Sequence, residues 1–171
     1  MSKIRPDATK AEINLSLERR VGLVHRFALT TIAVVLVLVA WDFINGKQNV
    51  HWAHSSIVGV LAITIVINRI GYSQAAAAFG LLSIDMVLYT LASSEPYETA
   101  VCLHFVTTGF VGIVFFVREN KWYGIGFGVL SILLYDLAAL GNLSLIEFRS
   151  MPADEIRMLF VINSTVCAFL C

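Results

Sequence analysis

Six apolar stretches, parted by short polar breaks, run along this 171-residue chain. The clearest lies within residues 19–46, RRVGLVHRFALTTIAVVLVLVAWDFING, where nothing charged and no Gly or Pro interrupts Phe27 through Trp41. Residues 21–44 would form a helix of about 36 Å at 1.5 Å per residue, enough to cross a hydrocarbon layer of about 30 Å. Further spans are predicted over 52–69, 74–91, 99–117, 122–140 and 155–171. Gly71-Tyr72-Ser73, the SSEPYE segment and Arg118-Glu119-Asn120-Lys121 mark tight connections, and 142–154 is the longest. All three prolines, Pro6, Pro96 and Pro152, fall outside these spans, as unbroken helices require.

Residues 1–20 are polar, with Thr9 to Glu12 fitting a capping box. Ile13, Leu17, Val21 and Val24 then recur every three or four positions. This predicts a short amphipathic helix on the inner membrane surface, continuous with the first span, whose basic residues face anionic lipid or a partner. A solvated lead-in helix fits the same pattern. The fold class is therefore all-α: a six-helix integral membrane bundle as one domain (21–171) behind a cytoplasmic lead-in (1–20).

Composition supports this. The chain is 58% hydrophobic with mean hydropathy +0.79 and only 14% charged residues, against roughly 25% in soluble domains. The first run is too long for a cleaved signal peptide and lacks a small-residue cleavage pattern. Net charge is zero, and no nucleic-acid partner is expected. What matters is the distribution. An inside N-terminus places Lys3, Arg5, Lys10, Arg19, Arg20, Arg26, Arg69, Arg118 and Lys121 in the cytoplasm, and only Lys47, Arg149 and Arg157 outside. That asymmetry orients the bundle. Residues 156–171 would extend only about 24 Å, with no basic flank, so the chain is expected to be truncated in or just after the sixth span.

Polar residues within spans are the candidate chemistry. A carboxylate at a span centre costs roughly 2.5–3.5 kcal/mol on insertion scales, so Asp85 and Asp136 should face the bundle and have partners. His104 and Asp136 each lie about 8 Å below the outer end of their spans, level enough to pair if their helices touch. Asp42, His51 and His54 share that outer edge. Asp42, His51, His54, His104, Asp136 and Asp85 are thus the candidate ligand-binding or sensing residues. Interhelical hydrogen bonds that only fix packing would use the same side chains.

His51 and His54, at i and i+3, would share a helical face and would bind a metal with His104 or Asp42 completing the sphere. His54 and His104 would alternatively be axial ligands of haem b. His25 sits at the opposite face and belongs to neither. Cys102, Cys167 and Cys171 form no disulfide or zinc spacing and read as packing residues. Gly124-Ile125-Gly126-Phe127-Gly128 resembles a nucleotide loop but opens a span with no preceding strand. Gly124, Gly128, Ser131 and Tyr135 instead share a small-residue packing face. No catalytic motif is present, so no enzymatic activity is expected of this chain.

The segments RRVGLVHRFAL, WDFINGK, INRIGY and LASSEPYETAVCLHF, within residues 19–141, resemble the six-helix N-terminal membrane module of bacterial signalling receptors. Such modules precede histidine kinase, diguanylate cyclase or adenylate cyclase domains. The resemblance implies a sensory or anchoring domain in the bacterial inner membrane, acting as a homodimer on an unknown small-molecule or lipid ligand, with its sixth helix leading into the output domain. Nothing catalytic follows Cys171, a departure from the full receptor. A haem- or metal-binding redox bundle is the alternative; a small transporter is a weaker one, since no repeat or Gly/Pro-broken helix is detectable.

Overall fold

The computed structural model describes residues 6–44, 51–116, 121–140, 145 and 150–170. Among them are six helices and no strand: α1 Pro6–Ile44, α2 His51–Arg69, α3 Ser73–Ala92, α4 Leu103–Phe116, α5 Lys121–Leu140 and α6 Ala153–Leu170, with a 3-10 turn at Tyr97–Thr99. Pro6 opens α1 where its missing N–H costs nothing. With no breaker in its apolar part, α1 runs 39 residues, about 58 Å. The lead-in and first span are thus one helix. The lead-in's apolar face lies outside the described side chains, as do the side chains of Asp42 and His51.

Four helices are long and apolar enough to cross a membrane, over Val21–Trp41, Trp52–Arg69, Ser73–Ala92 and Lys121–Leu140. At 14 residues, α4 is only about 21 Å long. It begins four positions later than its apolar pattern predicts. Residues 99–102, which composition alone assigns to the span, fold into the 3-10 turn and a left-handed bend at Ala100 (φ 61°). α6 has the length but opens with Asp154, Glu155 and Arg157. Exposed large apolar side chains such as Leu36, Val66, Met86, Val106 and Ile132 lie on five different helices. Apolar surface that extensive suits a lipid surround.

α3 is the central helix. Half of its span is buried (50%), against 17% for α1 and α5. It touches α1, α2, α4 and α5. Small residues set these distances. Ala76, Ala77 and Gly80 are buried, and a Cβ on Gly80 would sit 2.9 Å from Thr64 Oγ1 of α2. At its C-terminal end α2 closes on Gly71, whose φ of 99° a side chain would strain. There Asn68 Nδ2 donates to the Val21 carbonyl at 2.9 Å, tying α2 to α1.

The small-residue face of α5 packs on α4 as its pattern predicts. Cβ atoms on Gly112 and Gly124 would stand 2.8 Å from Phe127 Cβ and 3.1 Å from Ile113 Cα. Phe116 stacks on Phe127 beside this seam. Two apolar clusters result. One, around Val24, Ala77, Leu81 and Phe115, lies toward the turn at Gly71. The other, around Ala28, Ile57, Ile84, Leu88 and Phe105, lies toward the 93–102 connection.

Much of that connection is buried despite its acidic SSEPYE sequence. Ser93, Ser94, Glu95 and Thr99 are buried. Ser94 Oγ and Thr99 Oγ1 donate to the Leu91 and Pro96 carbonyls, each at 2.8 Å. The turn therefore satisfies its own backbone and forms a floor against which α6 docks.

Candidate functional site

A cavity of about 100 Å³ lies among α1, α2, α3, α4 and α6. Its wall is mostly Val, Leu, Ile and Phe, and His54, His104, Thr31 and Asn163 also reach it. Two of the predicted sensing residues, His54 on α2 and His104 on α4, thus meet at one hollow.

His104 is held by α6. Asn163 Nδ2 donates to the Thr99 carbonyl at 2.8 Å, which turns Asn163 Oδ1 toward His104 Nε2, 3.2 Å away. A carbonyl-type oxygen only accepts, so Nε2 carries the ring proton and donates it. Nδ1 then has a lone pair facing Cys167 Sγ at 3.3 Å, and the thiol donates. The amide orientation fixes the whole relay: Cys167 to His104 to Asn163, and Asn163 to the Thr99 backbone. Asn163 and Cys167, at i and i+4, lie on one face of α6. Cys167, predicted only to pack, is buried and also bonded.

The predicted His104–Asp136 pair does not form. Asp136 is exposed on α5, whereas Ser131 of that helix faces the interior. Five residues at about 100° each put the two about 140° apart. Equal depth sets a level; it does not set a direction.

Asp85 behaves as a buried carboxylate must. It is 1% exposed; Thr108 Oγ1 lies 2.6 Å from Oδ1 and Ser131 Oγ 3.1 Å from Oδ2. Residues from α3, α4 and α5 thus meet at one carboxyl group beneath the cavity, whose wall Ile84 and Thr108 share.

The metal expectation rests in part on Asp42 and His51, and the haem expectation on His54 and His104. Among the described residues no three His, Cys, Asp or Glu side chains form a metal-sized group; Asp42 and His51 lie outside that description. Both ring nitrogens of His104 are engaged within the protein. The hollow it shares with His54, about 100 Å³, falls well below the roughly 300 Å³ at which cofactor pockets begin.

A second hollow, about 320 Å³, opens beside the 3-10 turn and is lined by Tyr97, Glu98, Tyr135 and Phe160 among others. There the Tyr97 and Tyr135 hydroxyls meet at 2.8 Å. Sequence reasoning missed Thr31, Asn163 and Cys167 as site residues. The usable signal was Asn163, a lone amide within the apolar run of α6.

No protein-family model matches the chain, and comparison with curated proteins and with solved structures gives no match.

Proposed function

We propose that this chain is the membrane input module of a bacterial signalling receptor. In this reading all six helices cross the inner membrane with the N-terminus inside. The module works as a homodimer, and α6 leads to a cytoplasmic output domain, a histidine kinase before a cyclase. The observation that carries the reading is the way α6 is joined to the rest. It supplies Asn163 and Val166 to the cavity wall and is tethered by the His104–Asn163–Thr99 relay. A change in the cavity therefore acts on the helix nearest the output. A small displacement of a packed helix is a familiar way for such a change to travel.

Two experiments test this. With Leu170 joined in helical register to a kinase dimerisation and catalytic domain, Asn163→Leu should change autophosphorylation several-fold relative to the unsubstituted chimera. Equal output from both, at equal amounts in the membrane, would remove the input role. Orientation is tested by a membrane-impermeant maleimide. Glu98→Cys should label from outside in intact cells and Tyr72→Cys only after lysis, and the reverse pattern would invert the topology.

A further inference from the structure

We propose that the cavity among α1, α2, α3, α4 and α6 binds a small neutral molecule, mostly hydrocarbon, with one hydroxyl or carbonyl oxygen that pairs with Thr31. This deepens the input-module reading by naming the class of ligand, and the binding itself is independent of that reading.

Three observations converge. Ten of the sixteen lining residues are Val, Leu, Ile or Phe, and none is Asp, Glu, Lys or Arg. A charged ligand would enter without a counter-charge, which the interior does not tolerate. The volume is about 100 Å³, while a cavity of about 150 Å³ takes benzene. Roughly four or five heavy atoms therefore fit.

The third observation is Thr31. Its residue is 9% exposed and its Oγ1 is buried with no hydrogen-bond partner among the described residues. Helical threonines normally discharge their hydroxyl on the carbonyl one turn back. Thr64, Thr90 and Thr165 do so, onto Val60, Met86 and Val161 at 2.8, 3.0 and 2.7 Å. Thr31 does not bond to Phe27 in this way. A buried hydroxyl without a partner carries a penalty that a ligand oxygen would remove.

Most other polar groups of the wall are already in use. Thr108 serves Asp85; His104 and Asn163 serve the relay; Thr107 is engaged within the fold, and so is His54, although its ring atom Nδ1 is buried without a hydrogen bond among the described residues. The site thus offers one open hydroxyl and one ring nitrogen within an apolar shell. A molecule that is apolar except at one oxygen matches the hydroxyl and the shell.

The test uses 1-butanol and pentane, equal in heavy atoms and different at one position. Binding is read from the methyl NMR signals of Thr31, Val35 and Ile57 in the intact chain in lipid nanodiscs. We expect saturable butanol-induced shifts at these methyls, with affinity about tenfold above that for pentane, the value of one net hydrogen bond. Thr31→Val, nearly isosteric, should erase the preference while leaving pentane binding unchanged, and Thr31→Ser should restore it. Overturning results are absence of saturable shifts with either probe, or a butanol preference that survives Thr31→Val. The kinase chimera separates the two readings. Butanol binding without an output change would defeat the input role and leave the site standing, whereas Asn163→Leu altering output without butanol binding would do the reverse.

Discussion

α4 is joined to its two neighbours by opposite means. Against α5 it presents Gly109 and Gly112 and receives Gly124 and Gly128, and at the first three of these one added carbon would strike backbone or Cβ atoms. Against α6 it offers a histidine and takes an amide and a thiol in return. The first joint is dry packing spread along two helices; the second is a few directional bonds beside a cavity. Packing of the first kind resists displacement in every direction. A joint of the second kind can break and reform at a modest net cost, about 1 kcal/mol per hydrogen bond. The molecule thus pairs a rigid partner for α4 with a releasable one.

The largest effect should come from damaging the rigid joint. Gly124→Leu would put its Cβ 3.1 Å from Ile113 Cα and 3.3 Å from the Ile113 carbonyl oxygen, main-chain atoms with nowhere to go. We expect a loss of about 3 kcal/mol, the upper range for overpacking, seen as a lowered midpoint of thermal unfolding in detergent. Gly128→Leu should cost less, since its Cβ first meets the movable Ile113 Cδ1 at 3.3 Å. Gly126 faces open space, and Gly126→Ala should be neutral or slightly stabilising through helix propensity. Equal losses at all three positions would show that the seam does not depend on close approach.

Next is the carboxyl group pinned under that joint. Asp85→Ala leaves the Thr108 and Ser131 hydroxyls without their acceptor, for a loss of about 2 kcal/mol. Thr108 can fall back on the Phe105 carbonyl at 3.1 Å, so the double change Asp85→Ala with Ser131→Ala should recover part of the loss. If the double variant is no more stable than the single one, the unsatisfied Ser131 hydroxyl is not the cause.

At the releasable joint the effect should be smaller and local. Asn163→Ala removes the bonds to Thr99 and His104. Global stability should fall by about 1 kcal/mol, while amide exchange rises in α6 and the 93–102 turn and not in α2 to α4. Local opening of this kind is what exchange measurements resolve. Uniform acceleration across the bundle would mean that α6 is as integral as α5, and the contrast between the joints would fail.

The two joints were unequally legible in the sequence. Gly124, Gly128 and Ser131 announce their seam by spacing, because small residues one turn apart have few other uses in an apolar helix. The helices were equally plain, since an apolar run and its polar breaks fix a helix in one dimension. What periodicity omits is azimuth between helices and the fate of turns. Thr99 to Cys102 read as span because a buried turn and a buried helix share a composition. Asn163 was overlooked because an amide, unlike a carboxylate, does not stand out as a cost. Thr31 is an ordinary threonine until its hydroxyl is found to have no acceptor among the described residues.

The smallest effect is expected at Asp136, and it isolates that lesson. By depth alone it seemed the partner of His104, so that Asp136→Asn and His104→Ala would have acted alike on stability and signalling. The structure separates them, with His104 in the α6 relay and Asp136 exposed on α5. An exposed side chain with no role in packing changes stability by about 0.5 kcal/mol or less when substituted. Asp136→Asn should therefore leave the unfolding midpoint and the exchange of α6 unchanged, whereas His104→Ala should reproduce the local opening seen with Asn163→Ala. Combining His104→Ala with Asp136→Asn should give the sum of the two effects, as independent sites do. A coupling above about 0.5 kcal/mol in that cycle would return Asp136 to the site and show that α5 can turn its carboxylate toward the cavity.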